Sequence, residues 1–267
     1  MGLSDVHAHL THTKLAPHEG AILERARAAG LTSIVVNGLN PQDNEAVRAM
    51  AARSSLVRPA FGLYPVDAVL SEMEAMGRDY PRECPPFTRE EAIAWVADHV
   101  QEAFAIGEIG LDGYWVPQEL WPLQEEAFRA LVALALEADK AIIIHTRKRE
   151  QRALEILEEM GAERVNWHCF GGRVKLARRI AEHGHWLSIP ANARRNEAFT
   201  RMLETLPRDK ILFETDCPYL GPEPGVDSEP ANVRGTVAFA AELWGCSEDE
   251  VARRASESFA ALFGVEP

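Results

Sequence analysis

Six potential metal ligands follow one another along the chain in the order His-x-His, Glu, His, His, Asp: His7 and His9, then Glu108, His145, His168 and Asp216. Each closes a short apolar run. Imidazole with carboxylate suits Zn, Mn, Co or Ni, and serves Mg less well. Six such groups are too many for a single open catalytic ion. They suffice for two divalent ions that share a bridging carboxylate and stand roughly 3.5–4 Å apart. Paired ions lower the pKa of a bound water and clamp a leaving oxygen, which is the chemistry of hydrolysis rather than of electron transfer.

Local sequence supports each position. His7 and His9 are two residues apart, so on a strand both side chains face one way. Glu108 lies in Gly107-Glu108-Ile109-Gly110-Leu111-Asp112, where flanking glycines permit close approach of another backbone. His145 follows Ile142-Ile143-Ile144, and His168 follows Val165-Asn166-Trp167. A histidine at the end of a buried apolar strand needs a polar partner. Asp216 follows Ile211-Leu212-Phe213-Glu214-Thr215, and Cys217-Pro218 stops the run.

Elements able to position these groups recur along the chain. Strand-like runs cover 3–9, 32–36, 57–63, 104–109, 141–145, 164–168, 186–189 and 210–215. Helical patterns lie between them, as in the face made by Ile22, Leu23, Ala26 and Ala29. Thr88 with Glu91 and Ser247 with Glu250 have capping-box spacing. Eight β/α units in 267 residues predict a TIM (β/α)8 barrel, residues 1–267 forming a single domain with a two-metal site at its C-terminal face. Two longer excursions, 65–88 and 221–232, fall after strands 3 and 8, on the face where substrate loops sit.

Composition narrows the function. A net charge of −13 argues against a protein that coats nucleic acid, while leaving room for a nucleic-acid substrate at a local basic mouth. No run approaches the roughly 20 apolar residues of a membrane span, and no leader pattern opens the chain, so a cytoplasmic protein is expected. Cys84, Cys169, Cys217 and Cys246 form no C-x-x-C pair and read as reduced thiols. Cys169 and Cys217 each follow a candidate ligand and so should point to the opposite strand face. Oligomeric state is not legible.

The stretches DVHAHL, NPQDNEAV, GEIGLD, the segment from Gln124 through IIIHTR, WHCFGG, ETDCPYL and SEPANV resemble, in order, the TatD family of metal-dependent hydrolases within the amidohydrolase superfamily. The resemblance implies a TIM barrel, two divalent metals and hydrolysis of phosphodiesters, as in a deoxyribonuclease. It implies that His7 and His9 hold one metal, that His145 and His168 hold the other, and that Glu108 bridges. It gives Asp216 the double role of ligand and acceptor of the water's proton. The pattern departs from the family at Thr11, where an Asp is usual, at Tyr64, where a His is usual, and at Gly113, inserted before Tyr114. An amide, lactone or aminoacyl-ester substrate on the same metals is the alternative, and a binding protein on a decayed barrel is disfavoured because all six ligands are present.

Other residues are expected around the ligands. Asp5 and Glu214 share strand faces with His7 and Asp216 and should lie beneath the ligands, at least one of them near a ligand histidine. Tyr64, Tyr114 and Trp115 should line the mouth, Trp115 either stacking on substrate or serving as core for its own loop. Arg147, Lys148, Arg149, Arg173, Lys175, Arg194 and Arg195 follow strand ends, several near helix N-termini where the macrodipole disfavours a cation. That placement points to an anionic substrate, small or nucleic acid, with Arg147 as the leading contact.

Overall fold

The computed structural model describes residues 2–81 and 85–267. Cys84 lies outside the described residues. In chain order the elements are β1 (Leu3–Ala8), α1 (Glu19–Ala28), β2 (Leu31–Asn37), α2 (Pro41–Arg53), β3 (Val57–Phe61), α3 (Leu70–Ala75), α4 (Arg89–His99), β4 (Ala105–Asp112) and α5 (Trp121–Glu137). There follow β5 (Ala141–Arg147), α6 (Glu150–Met160), β6 (Val165–Trp167), α7 (Val174–Glu182), β7 (Trp186–Ile189), α8 (Glu197–Thr205), β8 (Ile211–Phe213), α9 (Val233–Trp244) and α10 (Glu248–Phe263).

All eight strands join one sheet in chain order, and each neighbouring pair is parallel. The fold is a TIM barrel, as the sequence pattern predicts. Closure between β8 and β1 comes from backbone beyond the β8 ladder. The Asp216 N–H donates to His7 O at 2.9 Å, and the His9 N–H donates to Cys217 O at 3.0 Å.

Alternation along the strands builds two apolar layers. Ile34 and Val36 of β2 join the layer packed under the helices. Val35, between them, joins Val6, Ala105, Ile143 and Leu212 in a separate cluster that includes Phe259, Leu262 and Phe263 of α10. Phe104, at the start of β4, stacks on Phe259, and the Ser258 hydroxyl donates to Asp209 O just before β8. Helix α10 therefore plugs the N-terminal end of the barrel, the end away from the ligands.

Caps fix several helices. Thr88 and Glu91 form the full reciprocal box at α4. At α10 the Ser247 side chain accepts from the Glu250 N–H. Asn40 accepts from the Asp43 N–H at α2, with Pro41 in the first turn. The excursion after β3 carries α3, and the one after β8 runs without a longer helix to α9. Among the described residues no helix is long and apolar enough to cross a membrane.

Candidate metal centre

Two of the strands that carry candidate ligands are bulged. Between Asp5 and Ala8 on β1 the partners on β2 advance only from Ile34 to Val36. Between Ile106 and Ile109 on β4 the partners on β5 advance only from Ile142 to Ile144. An extra residue on one strand bends it and re-aims side chains, and the extra residues fall beside His7 and Glu108. Glu108 thus sits inside β4, not at its end, because β4 continues to Asp112.

Glycine permits this crowding. A Cβ on Gly62 would lie 2.5 Å from the Glu108 backbone, and one on Gly107 would lie 2.7 Å from Ile143 Cβ. Gly110 has φ +143°, and a Cβ there would meet His145 O at 2.0 Å. Lys148, Cys169 and Asp216 adopt positive φ (66°, 41° and 51°) without being glycine. Such backbone costs about 1 kcal/mol or more per residue and gathers at functional sites.

The six side chains converge. Glu108 Oε2 lies 3.4 Å from both His7 Nε2 and His9 Nε2, while its Oε1 lies 3.1 Å from His145 Nδ1 and 3.2 Å from His168 Nε2. Asp216 Oδ1 faces His9 Nε2 at 3.4 Å and His7 Nε2 at 3.7 Å. His7 Nε2 and His9 Nε2 are only 3.1 Å apart, and the His7 and His168 rings stack at 3.7 Å. His7, Glu108 and His168 form one compact donor group, and His7, His9 and Asp216 form a second. All are buried or nearly so.

Charge is finely set here. Burial, helped by the charge of His168, pulls His7 down to about 3, so its ring is neutral and fit to ligate. Burial works against ionised Glu108, yet the charge of His168 and hydrogen bonds from His145, His168 and His7 hold its carboxyl well below the usual range. Asp216 is likewise lowered against burial, chiefly by His9 and then by His168. His168 is raised well above its ordinary value, the charges of Glu108 and Glu214 outweighing burial. Nitrogen and carboxylate donors packed this closely around buried rings fit divalent cations between them.

Further groups hold the candidate ligands. Glu214 Oε1 lies 3.6 Å from His168 Nδ1 and accepts from the Cys169 N–H, while Oε2 accepts from the Ser188 hydroxyl at 2.5 Å. Asn166 donates to that hydroxyl at 2.9 Å. Asp5 meets the backbone of His7 rather than its ring, and also accepts from the Thr215 N–H and hydroxyl. Asp112, which sequence reasoning left without a role, stands 3.1 Å from His145 Nε2 and accepts from the Tyr114 and Trp115 N–H groups. Its own N–H donates to Gln124 of α5. The one sequence signal for it was the carboxylate closing Gly110-Leu111-Asp112, directly after the glycine pair.

Around the mouth the aromatics divide. Tyr64 meets the His145 ring edge-on at 5.0 Å. Burial and the charge of Glu108 push its hydroxyl well above the ordinary value, so it stays neutral. Trp115 packs into a small cluster with Val66, Val69, Met73 and Tyr80. Tyr114 is 53% exposed and lies 3.6 Å under the Arg147 guanidinium. The cations divide too. Arg149, expected on the basic rim, is instead buried, because it pairs with Glu125 and stacks on Trp121 at 4.2 Å. Cys217 is buried in the layer under the helices and Cys169 packs partly against it. Burial, then the charge of Asp216, keeps the Cys169 thiol protonated.

Comparison with known proteins gives a consistent picture. A family model described as TatD related DNase matches residues 4–264. The chain is 32% identical to the uncharacterized metal-dependent hydrolase YabD of Bacillus subtilis, covering 98% of this chain and 99% of that protein. It is 29% identical to the 3'-5' ssDNA/RNA exonuclease TatD of Enterobacter lignolyticus, over 98% of each. A TatD homologue from Escherichia coli superposes with a TM-score of 0.83 at 22% identity, covering 98% of both chains.

Proposed function

The chain belongs to the TatD-related DNase family of metal-dependent hydrolases, and we propose that it cleaves phosphodiester bonds in nucleic acid with two divalent ions at the barrel mouth. The observation that carries this reading is the split of Glu108, one oxygen toward His7 and His9 and the other toward His145 and His168. That is the disposition of a bridging carboxylate. The ions, when bound, would supply Lewis acidity and a water of lowered pKa.

The protein's own groups do the rest. His7 and His9 would hold one ion and His145 and His168 the other. Asp216, kept ionised by His9, would serve as a ligand and as the group that takes up the water's proton. Arg147, exposed at the end of β5, meets the anionic substrate. Tyr64, Tyr114 and Trp115 shape the mouth, with Tyr64 a neutral hydroxyl beside His145. Glu214 and Asp5 hold His168 and the backbone of His7. The unpaired thiols Cys169, Cys217 and Cys246 suit a reducing, cytoplasmic setting. The name of the Enterobacter relative makes single-stranded DNA or RNA the first substrate to try.

The test is metal analysis of protein purified without chelator, paired with turnover of a labelled oligonucleotide and of a neutral ester. Two ions per chain with oligonucleotide cleavage is the expected result. Turnover of the ester alone would replace this reading with the alternative of neutral amide, lactone or aminoacyl-ester substrates.

A further inference from the structure

The cations around the mouth are not equivalent. On the side of β7, β8 and β1 they are engaged, two by carboxylates and the third by backbone carbonyls. Lys14 pairs with Asp227 at 2.8 Å, Arg194 pairs with Glu242 at 2.6 Å, and Arg195 donates to Gly221 O and Pro222 O. The other side differs. Arg147 and Lys148 at the end of β5, and Arg173 and Lys175 around the start of α7, are all exposed. Among the described residues none of these four side chains has a carboxylate in ion-pair range, although the Lys148 backbone N–H is taken by Glu150. Exposed Tyr114 lies beside the first of them, with Arg147 stacked on its ring.

In a chain of net charge −13 that carries many surface ion pairs, four free cations in one sector beside the candidate metal centre form a local positive field. A guanidinium held flat on an exposed aromatic ring is a stacking surface for a base, with a charge for the adjoining phosphate. We propose that this sector, from Tyr114 through Arg147 and Lys148 to Arg173 and Lys175, is the track for the single strand beyond the scissile phosphate. The engaged sector opposite takes no part in holding the strand. The proposal rests on the phosphodiesterase reading and adds which side of the mouth selects a polynucleotide over a small diester.

Binding of a fluorescein-labelled dT12 to the full chain, followed by anisotropy in EDTA so that no turnover occurs, tests it. Arg173→Gln with Lys175→Gln should lower the slope of log Kd against log salt by about 1.4, since each phosphate contact to a single strand contributes about 0.7. Tyr114→Leu should weaken binding by about tenfold with the slope unchanged, because stacking releases no counterion. Arg194→Gln, on the engaged side, should change neither. With metal present, the ratio of kcat/KM for dT12 to that for a dinucleotide should fall in the Arg173/Lys175 variant. No binding by the wild-type chain, or a wild-type slope and ratio in that variant, overturns the track while leaving diester hydrolysis intact. Binding with the expected slopes but no diester turnover in any metal would overturn the enzymatic reading and leave the track standing.

Discussion

Glu108 is the side chain on which the candidate centre turns, since every ligand histidine has a ring nitrogen within 3.4 Å of one of its oxygens. Glu108→Gln keeps the volume and removes the charge. It should lower bound metal below two ions per chain and reduce kcat/KM by about a thousandfold or more, roughly 4 kcal/mol of transition-state stabilisation. Undiminished turnover in that variant would remove Glu108 from the chemistry. Asp112→Asn leaves an oxygen for the Tyr114 and Trp115 N–H groups but withdraws the charge facing His145. It should weaken metal binding by about 10–100-fold in a calorimetric titration. The six ligand candidates were legible in the sequence because type and order agreed, although the strand-end placement did not hold for Glu108, which lies within β4. Asp112 was not, since its partner lies on the next strand, and Arg149 read as rim because its partner Glu125 is on a different helix.

At the scale of elements, the strands were legible to within a few residues because short apolar runs alternating with helical patterns leave little choice. The bulges in β1 and β4 were not, because an extra residue shows only against the neighbouring strand's register. One element contact carries a pH consequence. His185, just before β7, accepts from the Trp167 indole N–H through Nδ1 at 3.0 Å and donates to Ala162 O through Nε2. The Trp167 bond needs the neutral ring, because a protonated Nδ1 cannot accept, and burial lowers the ring to about 4. Its folded value lies below the unfolded value of about 6.5, so its stabilisation is complete above pH 6.5, declines as pH falls, and is exhausted below about 4. Between pH 7 and 5 this group should take about 2 kcal/mol from the unfolding free energy. His185→Gln can still offer an oxygen to Trp167 and an N–H to Ala162, so it should flatten that part of the urea-midpoint profile. An identical acid slope in the variant would refute the assignment.

For the whole molecule, the family match over residues 4–264 and the unbroken order of strands make one barrel of nearly the entire chain. Candidate ligands drawn from β1 and its end, from β4 and β5, and from beyond β6 and β8 lie on distant parts of that barrel. Metal binding should therefore stabilise all of it. At a hundred times Kd each ion contributes about 2.7 kcal/mol, so two ions should raise Tm by about 10 °C over the protein in EDTA. Calorimetry of the wild type and of Glu108→Gln checks this, and equal melting temperatures with and without metal in the wild type would count against any resident ion. The seam between β8 and β1 gives the effect a location. Its two backbone bonds belong to Asp216 and His9, themselves candidate ligands, with Asp5 clasping Thr215 alongside. A cation gripped by both sides of that joint acts as a rivet. Without it the barrel should breathe there first, and the Asp216 and His9 amides should trade their hydrogens for deuterium long before those of β2 or β5.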